Sequence, residues 1–529
     1  MKRYKKIISL FLTGFLAAGI LSGCGSGEKK TDSSAADSST DQNEGEKENK
    51  ETGKSNEKTD NEPYEVVIVE GGRFTQEALD AVSEKLSEIT QEKIGNTTVK
   101  MIGVSQGTYV DQLNMMLSSG EQVDLCLVAI DNAQSVAFMK NANQLLPLDS
   151  LLEEYGQDIL ANVPEEWLKA GKIGTEQYSI PGDRGKGSGI GFFMVKEVAD
   201  AIGVNVEDVK DLDDVEEVLK KVKDAFPDMY PLAPDVGGYN PMPVAYDPVY
   251  GYLGCIPDVY EYKDGDPLVN FYETEQYKDW TSTMYKWMKE GLVMPDGANS
   301  TVTNKSLMAA GKVACAIRNT DPDPEGEWSD AVGKEVVVSE LLNPKLYAAT
   351  HHAGWQVGIG STSQNPERAM QVLNLISADV DFANTLCFGV EGVHYQIKDA
   401  AKNTIEYLPG QDGSSTEYES IWGRFPQGFD IYVPLGRPDN FWEILEEFNE
   451  ECVFSPAYGF SYDPSNVQNE TAACANVISK YDAPLQCGML DPEIELPKFI
   501  EELKAAGADK IIADKQQQFD EWKKVTANK

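Results

Sequence analysis

The hydrophobic pattern of this chain changes character twice before it settles. Residues 7–20, IISLFLTGFLAAGI, form an apolar run behind the basic MKRYKK. The run is too short and too weakly flanked for a spanning helix, and it predicts a signal peptide over 1–23. The segment 25–63 then offers only Ala35 and Ala36 as apolar side chains among Gly, Ser and mixed charges. Such a stretch cannot bury enough surface to offset the entropy of ordering, and it predicts a flexible tether.

From Tyr64 the pattern becomes that of a folded body. YEVVIVEGG (64–72) is a β-branched run ending in glycines. In the next segment Phe74, Leu79, Val82, Leu86 and Ile89 recur at helical spacing. TTVKMIGV predicts a second strand, and TYVDQLNMMLSSG a helix stopped by Gly120. The continuous apolar run VDLCLVAI (123–130) suits a parallel strand covered on both faces. This strand–helix alternation implies an α/β domain with right-handed crossovers. Further on, YSIPGDRGKGSGIGFFMVKEVADAI gives a glycine-rich connection, a strand and a helix. DLDDVEEVLKKVKDAF predicts an amphipathic helix capped by Asp211, and PERAMQVLNLISAD one opened by Pro366. The last forty residues predict a helix-rich C-terminus. The body is long enough for two or three domains. Two α/β lobes joined by chain crossings would account for its size, with the glycines between Gly182 and Gly191 as one crossing.

Composition narrows the function. A net charge of −41 argues against a nucleic-acid partner. Besides Cys24 there are Cys126, Cys255, Cys315, Cys387, Cys452, Cys474 and Cys487. They lack C-x-x-C spacing and sit mostly among apolar or small residues, so they predict buried small hydrophobes rather than a zinc site, with one bridge left open. GDRGKGSGIG is neither a phosphate loop nor a dinucleotide fingerprint, and Ser188 lacks the glycine of a nucleophile elbow. DPDPEGEWSDAV (321–332) starts like a calcium loop, but Val332 stands where a bidentate carboxylate is needed. His351, His352 and His394 are the only histidines and form no metal motif. No cofactor, no metal and no catalytic constellation is predicted. In open α/β sheets ligands gather beyond the carboxyl ends of the strands. That rule nominates Arg73 after the first strand, Asp131 and Asn132 after the third, Asp183 and Arg184 at the crossing, Tyr239 and Asn240 in a Gly/Pro-rich loop, and Trp355 near the return crossing. Tyr246, Tyr250, Tyr252, Tyr260, Trp422 and Tyr458 also fall in loop-like stretches, where aromatic faces and polar partners would suit a sugar.

Two resemblances complete the picture. LSGC (21–24) resembles the bacterial lipobox, in which the thiol of Cys24 takes a lipid before the leader is cut. A lipid holds a protein to a membrane without a helix through it. QLNMMLSSGEQVDL (112–125), LLPLDSLLEEYGQDI (145–159), GKIGTEQYSIP (171–181), GVEGVHYQI (389–397), GFSYDPSNVQNE (459–470) and the C-terminal 490–522 resemble the extracellular solute-binding lipoproteins of Gram-positive ABC importers, in the LplA-like branch with a C-terminal domain of unknown function. RNTDPDPEGEW departs from that family's pattern. The resemblance implies a two-lobed, periplasmic-binding-protein-like (type II) α/β fold with an interlobe ligand cleft. It implies a non-catalytic, monomeric receptor on the outer face of the membrane that delivers a solute, an oligosaccharide before a peptide, to permease subunits; the alternative class is a cell-surface carbohydrate-active hydrolase. The expected organisation is lipidated Cys24 and tether over 24–63, a first lobe of 64–182 plus about 345–385, and a second of 183–344 plus about 386–529.

Overall fold

The computed structural model describes residues 62–128, 135–182, 185–341, 346–348, 356–411, 415–420, 431–433 and 435–526. The leader, Cys24 and the tether lie outside them.

The first sheet is built on β1 (Tyr64–Phe74), β2 (Thr97–Ser105) and β3 (Leu125–Val128), all parallel. β4 (Ser179–Pro181) belongs to it as well, through a later strand, Gln356–Ile359, that lies antiparallel between β3 and β4. All four residues of β3 are buried, because the strand has neighbours on both edges and cover on both faces. Helix α1 (Gln76–Lys93) is opened by Thr75, whose hydroxyl accepts the amide of Ala78, and it buries Leu79, Val82, Leu86 and Ile89 as its spacing requires. Its serines close the sheet's outer edge: Ser83 and Ser87 Oγ accept the amides of Met101 and Val99 at 3.0 and 2.9 Å. Edge groups on β2 that would otherwise invite another strand are thereby satisfied. Helix α2 (Tyr109–Ser119) stops at Gly120, whose φ of 78° lies in the left-handed region.

The second sheet contains β5 (Gly189–Val195), β6 (Tyr230–Leu232), β7 (Val313–Thr320) and β8 (Val336–Glu340), in the order β8–β5–β7–β6. β5 runs antiparallel to both neighbours, whereas β6 is parallel to β7. Gly191 lets β5 fit there: a Cβ on it would meet Thr320 Cγ2 at 2.7 Å. Part of the glycine cluster is therefore strand, and only 182–188 remains as the crossing. Helix α3 (Leu212–Ala225) starts at Asp211, which accepts from the amides of Asp213 and Asp214, and buries Val215, Val218, Leu219 and Val222. The strand Gln356–Ile359, named above, is β9, and Tyr418–Ser420 is β10. β10 pairs antiparallel with the end of β1, beyond the point where β3 leaves it.

Two hydrophobic cores follow these sheets. One gathers residues between Val66 and Ile180, Val357 to Leu386, and Tyr418. The other gathers residues between Ile190 and Leu341 with Ala457 to Phe519. Onto this second core pack the C-terminal helices α4 (Gln468–Gln486), α5 (Pro492–Ala506) and α6 (Ala508–Thr526), through Leu485, Phe499, Leu503 and Phe519. The molecule is a two-lobed α/β protein with a helix-rich C-terminus. All seven cysteines of the body are buried, and burial pushes the thiols of Cys126 and Cys487 up to about 12. The calcium-like segment folds as the helix Pro324–Val332, with Asp323 Oδ1 accepting the amide of Gly326 as its cap.

Candidate functional site

The pairings fix which ends of the two sheets face the connections. In the first sheet β1, β3 and β4 share a direction, so Phe74, Val128 and Pro181 end on the same side, where β9 begins at Gln356. In the second, Thr320 of β7 lies opposite Gly189 of β5, and Glu340 of β8 opposite Gly191. The crossing from Pro181 to Gly189 and the return from Glu340 to Gln356 thus join carboxyl-end sides of both sheets. The loops after the strands share these sides with the crossings, and loops so placed are where α/β sheets bind ligands.

In the second lobe, β7 ends in Arg318, Asn319 and Thr320, and the loop after β6 rises beside them. Arg318 Nη1 pairs with Asp235 Oδ2 at 3.1 Å, and its guanidinium stands 4.6 Å from the centroid of Tyr239. The Tyr239 hydroxyl donates to Asn319 Oδ1, and Asn319 Nδ2 donates to Ser188 Oγ at 2.7 Å. Strand end, loop and crossing are thereby tied together. Tyr239 keeps 45% of its surface exposed, yet burial raises its phenol above the usual value. A ring set among neighbouring side chains with part of its surface open meets both conditions.

Beside it lies an aromatic group. Tyr246 and Tyr252 stack on Phe271 at 4.6 and 5.4 Å, and their hydroxyls are 3.2 Å apart. Tyr252 also meets Tyr272 edge-on at 5.5 Å. Asp482 of α4 accepts from the Tyr277 hydroxyl at 2.7 Å and from Gln486 Nε2 at 2.8 Å. Tyr246, Tyr252 and Asp482 are half-buried. Burial raises all three, the Asp482 carboxyl included, against the lowering effect of its two hydrogen-bond donors. These neighbouring side chains form a wall that offers ring faces, phenol hydroxyls, a carboxylate and a guanidinium. Such a set can stack on an apolar ring face and fix hydroxyls by hydrogen bonds.

The residues expected from the sequence fall into three groups. Tyr239 is in the wall, and Asn240 is behind it: 1% exposed, its Nδ2 directed to Met284 Sδ at 3.4 Å. Arg73 ends β1 in the first lobe, where Nε and Nη2 donate to Glu419 Oε2 of β10 at 3.1 and 2.8 Å. The glycines before it serve this pairing: Gly72, at φ 151°, brings its Cα so close to β10 that a Cβ would lie 2.0 Å from Glu419 O. Asp131, Asn132, Asp183, Arg184 and Trp355 lie outside the described residues, as do His351, His352 and Trp422. Arg318, Asn319, Asp235 and Asp482 were not anticipated. The one signal for the first two is the abrupt change from VACAI to RNT within a single strand. His394 is buried, and its Nδ1 accepts the amide of Val390 at 2.9 Å. Among the described residues no group of three or more His, Cys, Asp or Glu is placed to hold a metal ion.

Comparison with known proteins finds relatives along most of the chain. Residues 85–385 match the family described as bacterial extracellular solute-binding protein, and residues 456–524 match a domain of unknown function. The chain is 25% identical over 456 residues to a carbohydrate ABC transporter substrate-binding protein of Streptococcus pneumoniae, covering 84% of this chain and 88% of the relative. It is 24% identical to lipoprotein LipO of Bacillus subtilis over 80% of this chain and 86% of that one. Among solved structures, the N-glycan transport solute binding protein NgtS of Streptococcus pneumoniae superposes with a TM-score of 0.74 at 23% identity, covering 88% of this chain and 100% of that one. Its complex with Man5GlcNAc superposes at 0.65 with 22% identity, covering 88% and 99%.

Proposed function

Because the chain belongs to the bacterial extracellular solute-binding protein family, we propose that it is a lipid-anchored receptor that captures an oligosaccharide and delivers it to the permease subunits of an ABC importer. The observation that carries the reading is the wall formed by Tyr239, Tyr246, Tyr252, Arg318 and Asp482. Sugar rings present apolar C–H faces to aromatic rings and hydroxyls to fixed polar groups, and both kinds of partner stand together here. The saccharide-binding relatives support the same choice. A receptor needs no nucleophile, and the reading assigns none. Anchoring through Cys24 is supported by the LSGC motif and by a relative named as a lipoprotein. No described helix is long and apolar enough to cross a membrane. The lobes are read as 64–182 with about 345–385, and 183–344 with about 386–529. Membership of the two cores supports that division, with β10 reaching back onto the first sheet. The receptor acts as a monomer whose lobes close on the solute, a change that ligand binding favours only by holding the closed state better.

A thermal-shift panel of Man5GlcNAc, shorter oligosaccharides, monosaccharides and peptides tests the cargo. A ligand at a hundred times its dissociation constant stabilises the native state by about 2.7 kcal/mol. The expected result is a shift with oligosaccharides. Shifts with peptides and none with any sugar reject the carbohydrate reading while leaving the receptor intact. Accumulation of cleaved sugar with turnover rejects the receptor reading itself.

A further inference from the structure

Between Tyr246 and Tyr252 the chain does something most residues avoid. Val249, Tyr250 and Gly251 follow one another at φ 44°, 61° and 120°. A β-branched residue at positive φ is an outlier that persists only when its surroundings over-determine it. Two groups supply the constraint. Asp247 Oδ1 accepts the amide of Val249 at 2.9 Å. Lys515, from the C-terminal helix α6, donates its amine to Val249 O at 2.6 Å and to Gly251 O at 3.4 Å.

Lys515 is itself unusual. It is 1% exposed, and it makes no ion pair among the described residues. Its aliphatic stem crosses Gly254, where a Cβ would meet Lys515 Cδ at 3.1 Å. Its amine lies 5.1 Å from the ring centroid of Tyr462, whose hydroxyl donates to Asp514 Oδ2 at 3.0 Å. Asp247 and Cys255 are the other titratable groups that act on it. A buried amine aimed at two backbone carbonyls costs desolvation unless those bonds are made, so the amine is placed for the turn. The opposite side of the turn is held too: the Tyr250 hydroxyl is bonded to Ser461, and Ser461 Oγ accepts the amide of Ala137 in the first lobe at 3.1 Å.

We propose that Lys515 is a positioning residue for the solute site: by clamping the carbonyls of Val249 and Gly251 it holds the left-handed turn that sets Tyr246 and Tyr252 in the wall. This gives the C-terminal domain of unknown function a task in recognition, and it rests on reading that wall as the solute face.

The test compares the full chain with Lys515→Met, which keeps the stem and removes the donors. Amide hydrogen exchange over 245–256 reports the turn without any ligand, and calorimetry reports binding of Man5GlcNAc. The expected result for K515M is exchange at least tenfold faster over 245–256, unchanged exchange over 97–128, and affinity about tenfold weaker. Unchanged exchange over 245–256 overturns the proposal, and so does a loosened turn with affinity intact. If K515M does not fold, Lys515→Ala with added n-butylamine decides. Protection of 245–256 that follows the amine concentration supports the clamp, and protection indifferent to it overturns the clamp. If the wild-type chain binds no sugar, the carbohydrate reading fails, while the exchange measurement still judges the clamp.

Discussion

Gly72 and Glu216 show how much a single position decides. Alanine at Gly72 would place a Cβ 2.0 Å from Glu419 O in a backbone conformation reserved for glycine. The substitution is expected to destabilise the protein by about 1–3 kcal/mol and to loosen β10 from β1, as urea denaturation and exchange at 418–420 would show. Glu216 is 13% exposed and accepts from Lys220 at 2.5 Å, from Lys286 at 2.8 Å and from Trp287 Nε1 at 2.8 Å. These donors hold its carboxyl down at about 2, against the ordinary 4.5. Its contribution is therefore complete above about pH 4.5 and lost as pH falls toward 2. Both lysines are half-exposed, so Glu216→Ala should cost about 1–2 kcal/mol at pH 7. The difference from wild type should shrink in denaturation at pH 3; a constant difference would refute the linkage. Such contacts were hidden from the sequence. Tyr239 could be nominated from its loop, but its partner Asn319 stands 80 positions away, and only the fold brings them together. Asp482 was equally invisible, because it sits within a helix whose apolar spacing gives a carboxylate no special mark.

Elements were more legible than their contacts. α1, α2 and α3 lie where the apolar spacing puts them, with Gly120 and Asp211 at the expected boundaries. Local signals suffice there, because an amphipathic stripe and a cap need only neighbouring residues. β10 was missed: three residues carry no period, and the strand exists because the end of β1 offers it an edge. The acidic segment at 321–332 failed as a motif for a related reason. Its carboxylates cap and pair, Asp323 with the helix behind it and Glu327 with Lys305 and Arg437 at 2.8 Å. The helix α6 carries a prediction of its own. Burial lowers the Lys515 amine from 10.5 to about 7. In the unfolded chain the proton stays to about pH 10.5, so between pH 7 and 10.5 the unfolded state binds more protons, and stability from this group rises with pH. The slope is at most about 1.4 kcal/mol per pH unit. Urea midpoints at pH 7 and 9 should diverge in favour of the wild type over K515M; parallel midpoints would exclude the linkage.

At the scale of the molecule, two lobes and a helical C-terminus could be read from alternating strand and helix patterns. A division of the chain between the lobes was expected as well, but the return of β10 to the first sheet was not part of it. The proposed lipid attachment is also tested on the whole molecule. Cys24→Ala should release the protein from the membrane fraction or leave it unprocessed, and lipid labelling with processing at the same site would refute the motif. The placement of β9 bears on how the chain reaches its native state. This strand lies between β3 and β4, yet it is encoded after the whole second sheet. The first lobe cannot finish its sheet while only its own early residues exist, and contacts of such long separation form slowly. A nascent chain of this design stays open until most of it has been made. In a family of extracellular proteins such a delay would suit export, because a chain that has not closed its sheets can still be threaded, and the segments that close both lobes come late in the sequence.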